Sequence, residues 1–396
     1  MTQKEIIEKA FYDGAGILHL VPNFAPKSFG APGHRLKLDP RDYYAFGTQR
    51  GAIKERRMSS AVAVKHPLAA KDEGLSYFTP IDDDCRRILF KDALEQLKDR
   101  LIGSELYNRY GTWPMFAKFF DYQTPLFHHV HITDSKAELV GKTGKPECYY
   151  YPPQLNPHMG DLPVTFFGFD PSTTKEQVRE CLDCYEAEDN KIKELSRGYK
   201  IELGTGWYTP PGVLHSPGSL LTYEPQWNSD VNAVFENITN GFVNTVNLLN
   251  KDCPEDKKMD KDFIMTLLDW EKNVDPFYKQ HYFRPPVMCR ENEIYSEKWI
   301  AYGNEYIGAK ELSIKPGSSG IIYDNTAFGC VIIQGHGCFG KYDCEAAIML
   351  RYGQHSGDEF FVSESAAMEG IEIKNNSKYE PMVILKHFAN NNKEMP

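Results

Sequence analysis

The sequence has little of what a nucleic-acid-binding or membrane protein needs. Its 396 residues carry a formal net charge of −10, so the excess of positive charge that nucleic-acid partners require is missing. No apolar run approaches the roughly 20 residues that cross a bilayer. The N-terminus, MTQKEIIEKAFYDG, has acidic residues where a signal peptide has a basic start and an apolar run. We therefore expect a cytoplasmic protein with neither a nucleic-acid nor a membrane partner.

Paired cysteines are also scarce. The nine cysteines are odd in number and scattered, and only Cys181 and Cys184 form a CxxC pair. A zinc site of the four-cysteine kind needs a second such pair, and a disulfide framework is typical of short secreted chains. The thiols are therefore predicted to be free. Otherwise the composition, with 41% apolar and 25% charged residues, is that of an ordinary globular protein.

Long helices are few, and short β runs between Gly- and Pro-rich turns dominate the sequence. This pattern predicts an all-β-dominated fold of two barrels with a few flanking helices. Residues 1–105 are predicted to be an N-terminal extension with strands that join the first barrel, which spans 106–253. A linking helix follows at 254–283, and a second barrel spans 284–396. The helices are predicted within these ranges: Lys4–Phe11, Phe90–Leu101, Lys175–Arg197 and Lys257–Lys279.

The segment FAKFFDYQTPLFHHVHITD carries the strongest chemical signal. Because side chains alternate along a strand, His129 and His131 point to the same face, about 7 Å apart by strand rise. Glu147 begins the next apolar run, after GKTGKP. In TPPGVLHSPG, two prolines and a glycine predict a tight turn that delivers His215 at a strand end.

Three imidazoles and one carboxylate are typical ligands of a divalent transition metal. One ion is expected, zinc first, with manganese, iron, cobalt and nickel as alternatives. HxH, a Glu on the next strand and PxGxxH together are the metal signature of the cupin barrel, so both barrels are predicted to be cupin jelly rolls. The second is predicted to hold no metal, because His336, His355 and His387 lack the HxH spacing and a matching Glu.

The same segments resemble type I phosphomannose isomerases (mannose-6-phosphate isomerases). FAKFFDYQTPLFHHVHITDSKAE is similar to that family's KxLDxxxPLSxQVHPD, through Lys118, Asp121, Pro125, His131 and Asp134 among others. GKPE, TFFGFDP, PPGVLHSPGS and YEPQWNSDVNAV resemble its KPE, CGFRP, PAGxxHA and ECMANSDNVVR segments. The likeness covers most of 110–240, extends faintly over 320–388, and adds little in 1–105.

This resemblance implies an aldose–ketose isomerase that works through an enediol on mannose 6-phosphate or a related, non-phosphorylated sugar. Such chemistry needs a proton-transferring group beside a cation that stabilises the enediolate. Glu224 and Asp230 fall at the family's positions for proton transfer, and Lys118 and Lys136 are further catalytic candidates. The expected partner is therefore a small sugar or sugar phosphate, and the oligomeric state is left open.

Three departures from the family pattern change the expectation. His129 stands where the family has a glutamine, and it is still a competent ligand. Val234 and Asp170 stand where the family has arginines, so we expect relaxed or lost dependence on a 6-phosphate. Lys142 and Lys145 are predicted to lie in a solvated loop. Two alternative functions stay open. The chain could be another metal-dependent cupin enzyme, such as a sugar epimerase or a dioxygenase, or a non-catalytic sugar-binding cupin.

Overall fold

The computed structural model describes residues 1–160 and 162–396, and strands dominate it. In chain order the strands are β1 (Ile17–Val21), β2 (Asn23–Lys27), β3 (Ala52–Met58), β4 (Tyr77–Thr79), β5 (Ile88–Leu89), β6 (Met115–Phe120), β7 (His129–Val130), β8 (Glu147–Tyr150), β9 (Val164–Phe169), β10 (Ser196–Lys200), β11 (Gly206–Thr209), β12 (Leu214–Ser216), β13 (Thr222–Trp227), β14 (Ala233–Val234), β15 (Ile238–Thr239), β16 (Phe242–Val243), β17 (Phe283–Arg284), β18 (Val287–Glu291), β19 (Tyr295–Ala301), β20 (Gly308–Ile314), β21 (Ser319–Ile322), β22 (Phe328–Gln334), β23 (His336–Phe339), β24 (Tyr342–Glu345), β25 (Glu359–Val362), β26 (Ile371–Asn375) and β27 (Met382–Phe388). The helices are α1 (Gln3–Asp13), α2 (Phe90–Leu97), α3 (Asp99–Ile102), α4 (Ser104–Tyr110), α5 (Asp134–Ala137), α6 (Lys175–Asp183), α7 (Val246–Asn250), α8 (Lys261–Met265), α9 (Trp270–Asn273), α10 (Tyr278–Tyr282) and α11 (Glu364–Glu369). None of these helices is long and apolar enough to cross a membrane.

Two open sheets face each other in the first half of the chain. The seven-stranded sheet has the order β17-β11-β8-β13-β6-β3-β2, and the five-stranded sheet has the order β10-β9-β12-β7-β14. Aromatic side chains fill the space between them, with Tyr149 of β8 lying 5.9 Å from Phe167 of β9 between ring centroids. This N-terminal sheet pair places β7, β8 and β12, which carry the predicted ligands, around one interior.

The second half repeats this arrangement. A nine-stranded sheet, β18-β19-β20-β27-β22-β25-β1-β4-β5, faces a four-stranded sheet, β21-β26-β23-β24. Their shared core includes Ile314, Ile322, Phe360 and Ile373. The β-dominated class predicted from the sequence is confirmed, and each half takes the form of two facing antiparallel sheets.

The N-terminal segment contributes strands to both sheet pairs, whereas the sequence predicted only the first destination. β2 and β3 extend the seven-stranded sheet through β6, while β1 joins β25 in the C-terminal sheet and brings β4 and β5 with it. The two large sheets pack back to back through a common core that includes Ala117, Tyr223 and Val331.

Three predicted helices are shorter than expected or interrupted. The predicted helix Phe90–Leu101 is divided into α2 and α3 at Lys98, which has a φ of +55°. The segment Lys175–Arg197 is helical only to Asp183, because its last residues enter β10 and bond to β9. The predicted linking helix is divided into α8, α9 and α10. The side chains of Asp260 and Asp269 each accept a backbone N–H and start a new helix, so local capping overrides the apolar periodicity.

Candidate metal centre

Three histidines converge between the two N-terminal sheets. His129 on β7 pairs directly with His215 on β12, and His131 lies two residues further along the chain. Their ring nitrogens lie within 4.8 Å of one another, and all three side chains are buried. The predicted HxH pair and the predicted PxGxxH histidine are therefore brought to one point.

Each imidazole is oriented by the backbone. Nδ1 of His129 lies 2.9 Å from the carbonyl oxygen of Phe127, Nδ1 of His131 lies 3.0 Å from that of Val231, and Nδ1 of His215 lies 2.8 Å from that of Val213. A carbonyl oxygen can only accept, so Nδ1 carries the proton in each ring. Each Nε2 then carries a lone pair that can bind a cation, which is the arrangement that metal-ligating histidines require. At His131 this lone pair is met by the ammonium of Lys145 at 2.9 Å.

Glu147 completes the group from the opposite sheet. Its carboxylate lies 3.0 Å from Nε2 of His131 and 3.2 Å from Nε2 of His215. Tyr149, two residues further along β8, donates its hydroxyl to the same carboxylate. The carboxylate is therefore fixed in orientation and presented to the imidazoles.

The local electrostatics keep these groups in the forms that bind metal. Burial lowers the pKa of His131 to about 3 and that of His129 well below its usual value, so both rings are neutral at pH 7. Burial opposes the ionisation of Glu147, but His131 and Lys145 outweigh it and hold its pKa well below the usual range. Neutral imidazole and ionised carboxylate are the ligand forms that zinc takes.

Lys145 is also part of this group, which differs from the position predicted from the sequence. The predicted solvated loop is corrected: its side chain is only 8% exposed. Its ammonium lies 2.9 Å from Nε2 of His131, 2.8 Å from Glu147 and 3.6 Å from Glu224. A lysine two residues before a buried strand residue shares that residue's face, and this period-2 relation to Glu147 was the available signal.

Glu224 lies beside this group on β13. It is buried, and Lys118 on the neighbouring strand β6 is paired with it at 2.9 Å. Burial and the charge of Glu147 raise the pKa of Glu224 to about 8, although Lys118 and Lys145 oppose the shift. A carboxyl group with a pKa near neutrality can both donate and accept a proton.

The group opens into a cavity of about 340 Å³, large enough for a small sugar. Lys118 and the predicted Asp230 line its wall, and so does Val234, which pairs with His129 across β14 and β7. Asp230 is exposed. Lys136 is placed elsewhere, with its ammonium over the ring of Phe263 at 5.2 Å.

Other histidines and polar residues lie apart from the centre. His128 faces away from it and bonds through Nδ1 to Glu236 at 2.8 Å. In the second half, His387 bonds to Tyr223, His355 bonds to Thr79, and His336 is exposed. Within 1–160 and 162–396 these side chains do not form a second group of metal-ligand geometry.

Comparison with solved structures places this geometry in a known fold. Mannose 6-phosphate isomerase from Bacillus subtilis matches with a TM-score of 0.59 at 17% identity, over 94% of this chain and 99% of that one. The chain has the fold of the phosphomannose isomerases. A variant of the phosphomannose isomerase from Salmonella typhimurium matches with a TM-score of 0.60 at 12% identity, over 95% of this chain and 100% of that one. A zinc-bound mannose 6-phosphate isomerase gives 0.60 at 11% identity with the same coverage.

These structural matches are not accompanied by sequence matches. No family model matches the chain, and no curated protein matches it. The fold of the phosphomannose isomerases and the buried histidine group therefore rest on the structure, and together they indicate a site for a divalent metal.

Proposed function

We propose that the chain is a metal-dependent sugar isomerase that interconverts an aldose and a ketose through an enediol. The observation that carries this proposal is the convergence of His129, His131 and His215 with Glu147 at the end of a sugar-sized cavity, in the fold of the phosphomannose isomerases. Mannose 6-phosphate and related aldoses are the first substrates to test.

The donor set supports a bound divalent ion, with zinc as the expected metal. Three Nε2 atoms with a common orientation and one ionised carboxylate match zinc's preference for nitrogen and oxygen donors. His215 Nε2 is buried without a hydrogen-bond partner, as expected of an atom that binds a cation rather than a proton donor. A metal held here would supply Lewis-acid stabilisation of the negative charge on the sugar oxygens.

The chain's own residues would carry out the proton transfers. Isomerisation moves a proton between C1 and C2 and redistributes the protons on O1 and O2. Glu224 is our first candidate for the carbon-bound proton, because its raised pKa suits transfer in both directions. Lys118 would hold the Glu224 carboxylate in place through their 2.9 Å contact. Lys145, between His131 and Glu224, would donate to a sugar oxygen.

Asp230 and Lys136 have less support for a chemical role. Asp230 lines the cavity and is exposed, which suits contact with a substrate hydroxyl at the rim. The ammonium of Lys136 lies over Phe263 of α8, which suits a role in holding α5. We therefore propose Glu224, Lys118 and Lys145 as the catalytic group.

We also propose the predicted division of the chain, with a metal-binding cupin domain at 106–253 and a metal-free cupin domain at 284–396. The facing sheet pairs support this assignment, because each has its own core. The segment 1–105 would then belong to both domains, since its strands pair with both large sheets.

The deciding experiment is to load the protein with zinc and offer it free and phosphorylated aldoses and ketoses, following the products by NMR in D2O. An isomerase of this kind forms the partner sugar, with deuterium at C1 or C2, because the proton on the base exchanges with solvent. Inversion at one carbon without a ketose would indicate an epimerase, and oxygen consumption would indicate a dioxygenase. Sugar binding without turnover would leave a binding protein.

A further inference from the structure

Positive charge is concentrated on one wall of the cavity. Of the described residues that line it, six are cationic and two are carboxylates: Lys27, Arg57, Lys65, Lys118, Lys145 and Lys251 against Glu55 and Asp230. For a chain whose net charge is −10, this is a strong local reversal of sign. A cavity walled by charges of one sign concentrates ligands of the opposite sign.

The excess charge is greatest around Glu55 on β3. Lys27 lies 3.1 Å, Arg57 3.3 Å and Lys118 3.7 Å from its carboxylate, so one negative charge faces three positive ones. Lys118 is also satisfied by Glu224 at 2.9 Å. Among the residues that the structure describes, Lys27 and Arg57 therefore share Glu55 as their carboxylate partner, which leaves one positive charge in excess.

The geometry of Arg57 leaves donors available. Its Nε and Nη2 both reach the same oxygen of Glu55, at 3.4 and 3.3 Å, which are long distances for a charged pair. Phe116 supports the guanidinium from one side, with its ring centre 5.4 Å away. A guanidinium that lies over an aromatic ring and has further N–H groups to donate is suited to bind a carboxylate or phosphate.

Of these cations, Lys27 and Arg57 lie at the far side of the cavity from the histidines, whereas Lys145 lies beside His131. Arg57 on β3 lies directly opposite Lys118 on β6, and Lys118 lies directly opposite Glu224 on β13. The three side chains therefore project from one face of the sheet. Glu147 lies on the same face, on β8 beyond β13. Three strand spacings separate β8 from β3, or about 14 Å at about 4.8 Å per spacing. Side chains project inward from both ends of this row, and a sugar would lie between them.

The loop after β3 adds a third cation. Residues 60–76 leave and rejoin the sheet at one point, because Ser76 and Ser60 are joined by two hydrogen bonds of 2.8 and 2.9 Å. Lys65 is exposed on this loop and lines the cavity beside Val64. The loop is fixed at Glu73 by a buried ion pair with Arg50, so Lys65 is carried on an anchored support.

We propose that Lys27, Arg57 and Lys65 form an oxyanion-binding subsite that holds a phosphate or carboxylate group of the substrate at the end away from the histidines. This deepens the proposed isomerase function and rests on it. All three residues lie in the segment 1–105, where the sequence resemblance adds little, so the subsite belongs to this chain. Val234 and Asp170, in place of the family's arginines, led us to expect relaxed dependence on a phosphate. With this subsite the chain would instead bind the anionic group through residues at other positions.

The first test uses inorganic phosphate as the probe, because its binding does not require turnover. Phosphate titrated into the zinc-loaded protein by calorimetry should bind to the wild type. Arg57→Gln and Lys27→Gln should each weaken binding about ten-fold or more, the effect of losing one charge-assisted contact. The same titration with acetate tests whether the subsite binds a carboxylate as well as a phosphate.

Arg100→Gln is the matched control. Arg100 also pairs with a glutamate, Glu8 at 2.9 Å, and also stacks on an aromatic ring, Phe11 at 5.3 Å, but it lies outside the cavity. Its phosphate affinity should equal that of the wild type. Lys65→Gln changes an exposed loop side chain and tests the subsite even where the buried variants fail to fold; we expect it to weaken binding about three-fold or more.

The second test compares a hexose 6-phosphate, a hexuronate and the neutral hexose as substrates. Arg57→Gln should lower kcat/KM for the preferred anionic substrate by about ten-fold or more, and by a clearly larger factor than for the neutral hexose. Phosphate binding that is equal in the wild type, Arg57→Gln and Lys65→Gln would overturn the subsite, since the anion would then bind at the metal. Anion binding that depends on Arg57 in a protein without isomerase activity would refute the proposed function and keep the subsite.

Discussion

Replacing His215 by alanine should remove metal binding while leaving the β fold in place. His215 supplies one of the three Nε2 atoms that lie within 4.8 Å of one another, and it contacts Glu147 at 3.2 Å. It lies between β7 and β9 in the five-stranded sheet, and its backbone bonds are independent of the imidazole. The ligand is therefore lost without loss of the strand that carries it.

The size of the effect follows from linkage. Loss of a group that merely supports a metal ligand weakens binding about 10- to 100-fold, and loss of a ligand should reach at least the upper figure. At a metal concentration about 100 times the wild-type Kd, the metal stabilises the fold by about 2.7 kcal/mol. A Kd raised about 100-fold leaves about 0.4 kcal/mol of that stabilisation.

The assay combines metal content after gel filtration with thermal unfolding in the presence of zinc and of a chelator. At roughly 2.1 cal/mol/K per residue, a chain of this length should gain about 3 °C from zinc in the wild type and about 0.5 °C in His215→Ala. His128→Ala is the control, because His128 is buried on the same segment but bonds to Glu236 on the other side. A zinc increment retained in His215→Ala, or lost in His128→Ala, would refute the assigned centre.

Three further outcomes follow from the same geometry. Glu224→Gln should retain zinc and lower kcat by about a hundred- to ten-thousand-fold, and Asp230→Asn should lower it less. The pKa of Glu224 is raised to about 8 and a base acts in its ionised form, so wild-type activity should rise with pH up to about that value. A wild-type rate in Glu224→Gln would exclude Glu224 as the base. Lys145→Met should also lower kcat more than it raises KM, measured by steady-state kinetics, whereas Lys136→Met should leave both near wild type. Burial raises the pKa of Glu359 from 4.5 to about 8, so between these pH values the folded state binds one proton more than the unfolded state. The free energy of unfolding should therefore fall as the pH rises from 4.5 to 8, by up to about 1.4 kcal/mol per pH unit. Urea titrations should show a smaller slope for Glu359→Gln.

The convergence of the three histidines could be predicted from the sequence because the position of each is fixed by local geometry. His129 and His131 share a face by the two-residue period of a strand, and the turn before His215 is set by Pro210, Pro211 and Gly212. Gly212 has a φ of +86° and packs on the backbone of Asp269, so a Cβ there would be strained and crowded. Local rules of this kind do not depend on the rest of the fold.

The remaining parts of the site depend on long-range pairing. Lys27, Arg57 and Lys65 lie about 80 to 120 residues before Glu147. Only the pairing of β3 with β6 brings Arg57 opposite Lys118. Charge in a turn-rich segment usually indicates a solvated surface, which is why Lys145 was misplaced as well. The length of the predicted helix Lys175–Arg197 was wrong for a related reason. Apolar periodicity carries no information about a strand pairing such as that of β10 with β9.

Because side chains alternate along a strand, one face of the large N-terminal sheet can carry the candidate site while its other face contacts the C-terminal sheet pair. On β8, Glu147 and Tyr149 point into the space between the two N-terminal sheets. Tyr150 points the other way and donates its hydroxyl to Glu311 of β20 at 2.6 Å.

The neighbouring strands follow this pattern. On β13, Glu224 points toward Lys118 and Lys145, and Tyr223 on the reverse face bonds to His387 at 2.9 Å. On β3, Arg57 faces the cavity and Arg56 makes two bonds of 2.7 Å to Asp358. Each of these strands is thus fixed on its reverse face by a buried polar contact to the C-terminal half, and side chains fixed from behind in this way can hold the short distances that proton transfer needs. The C-terminal half therefore acts as the rigid support for the sheet that carries Glu147, Glu224 and Arg57.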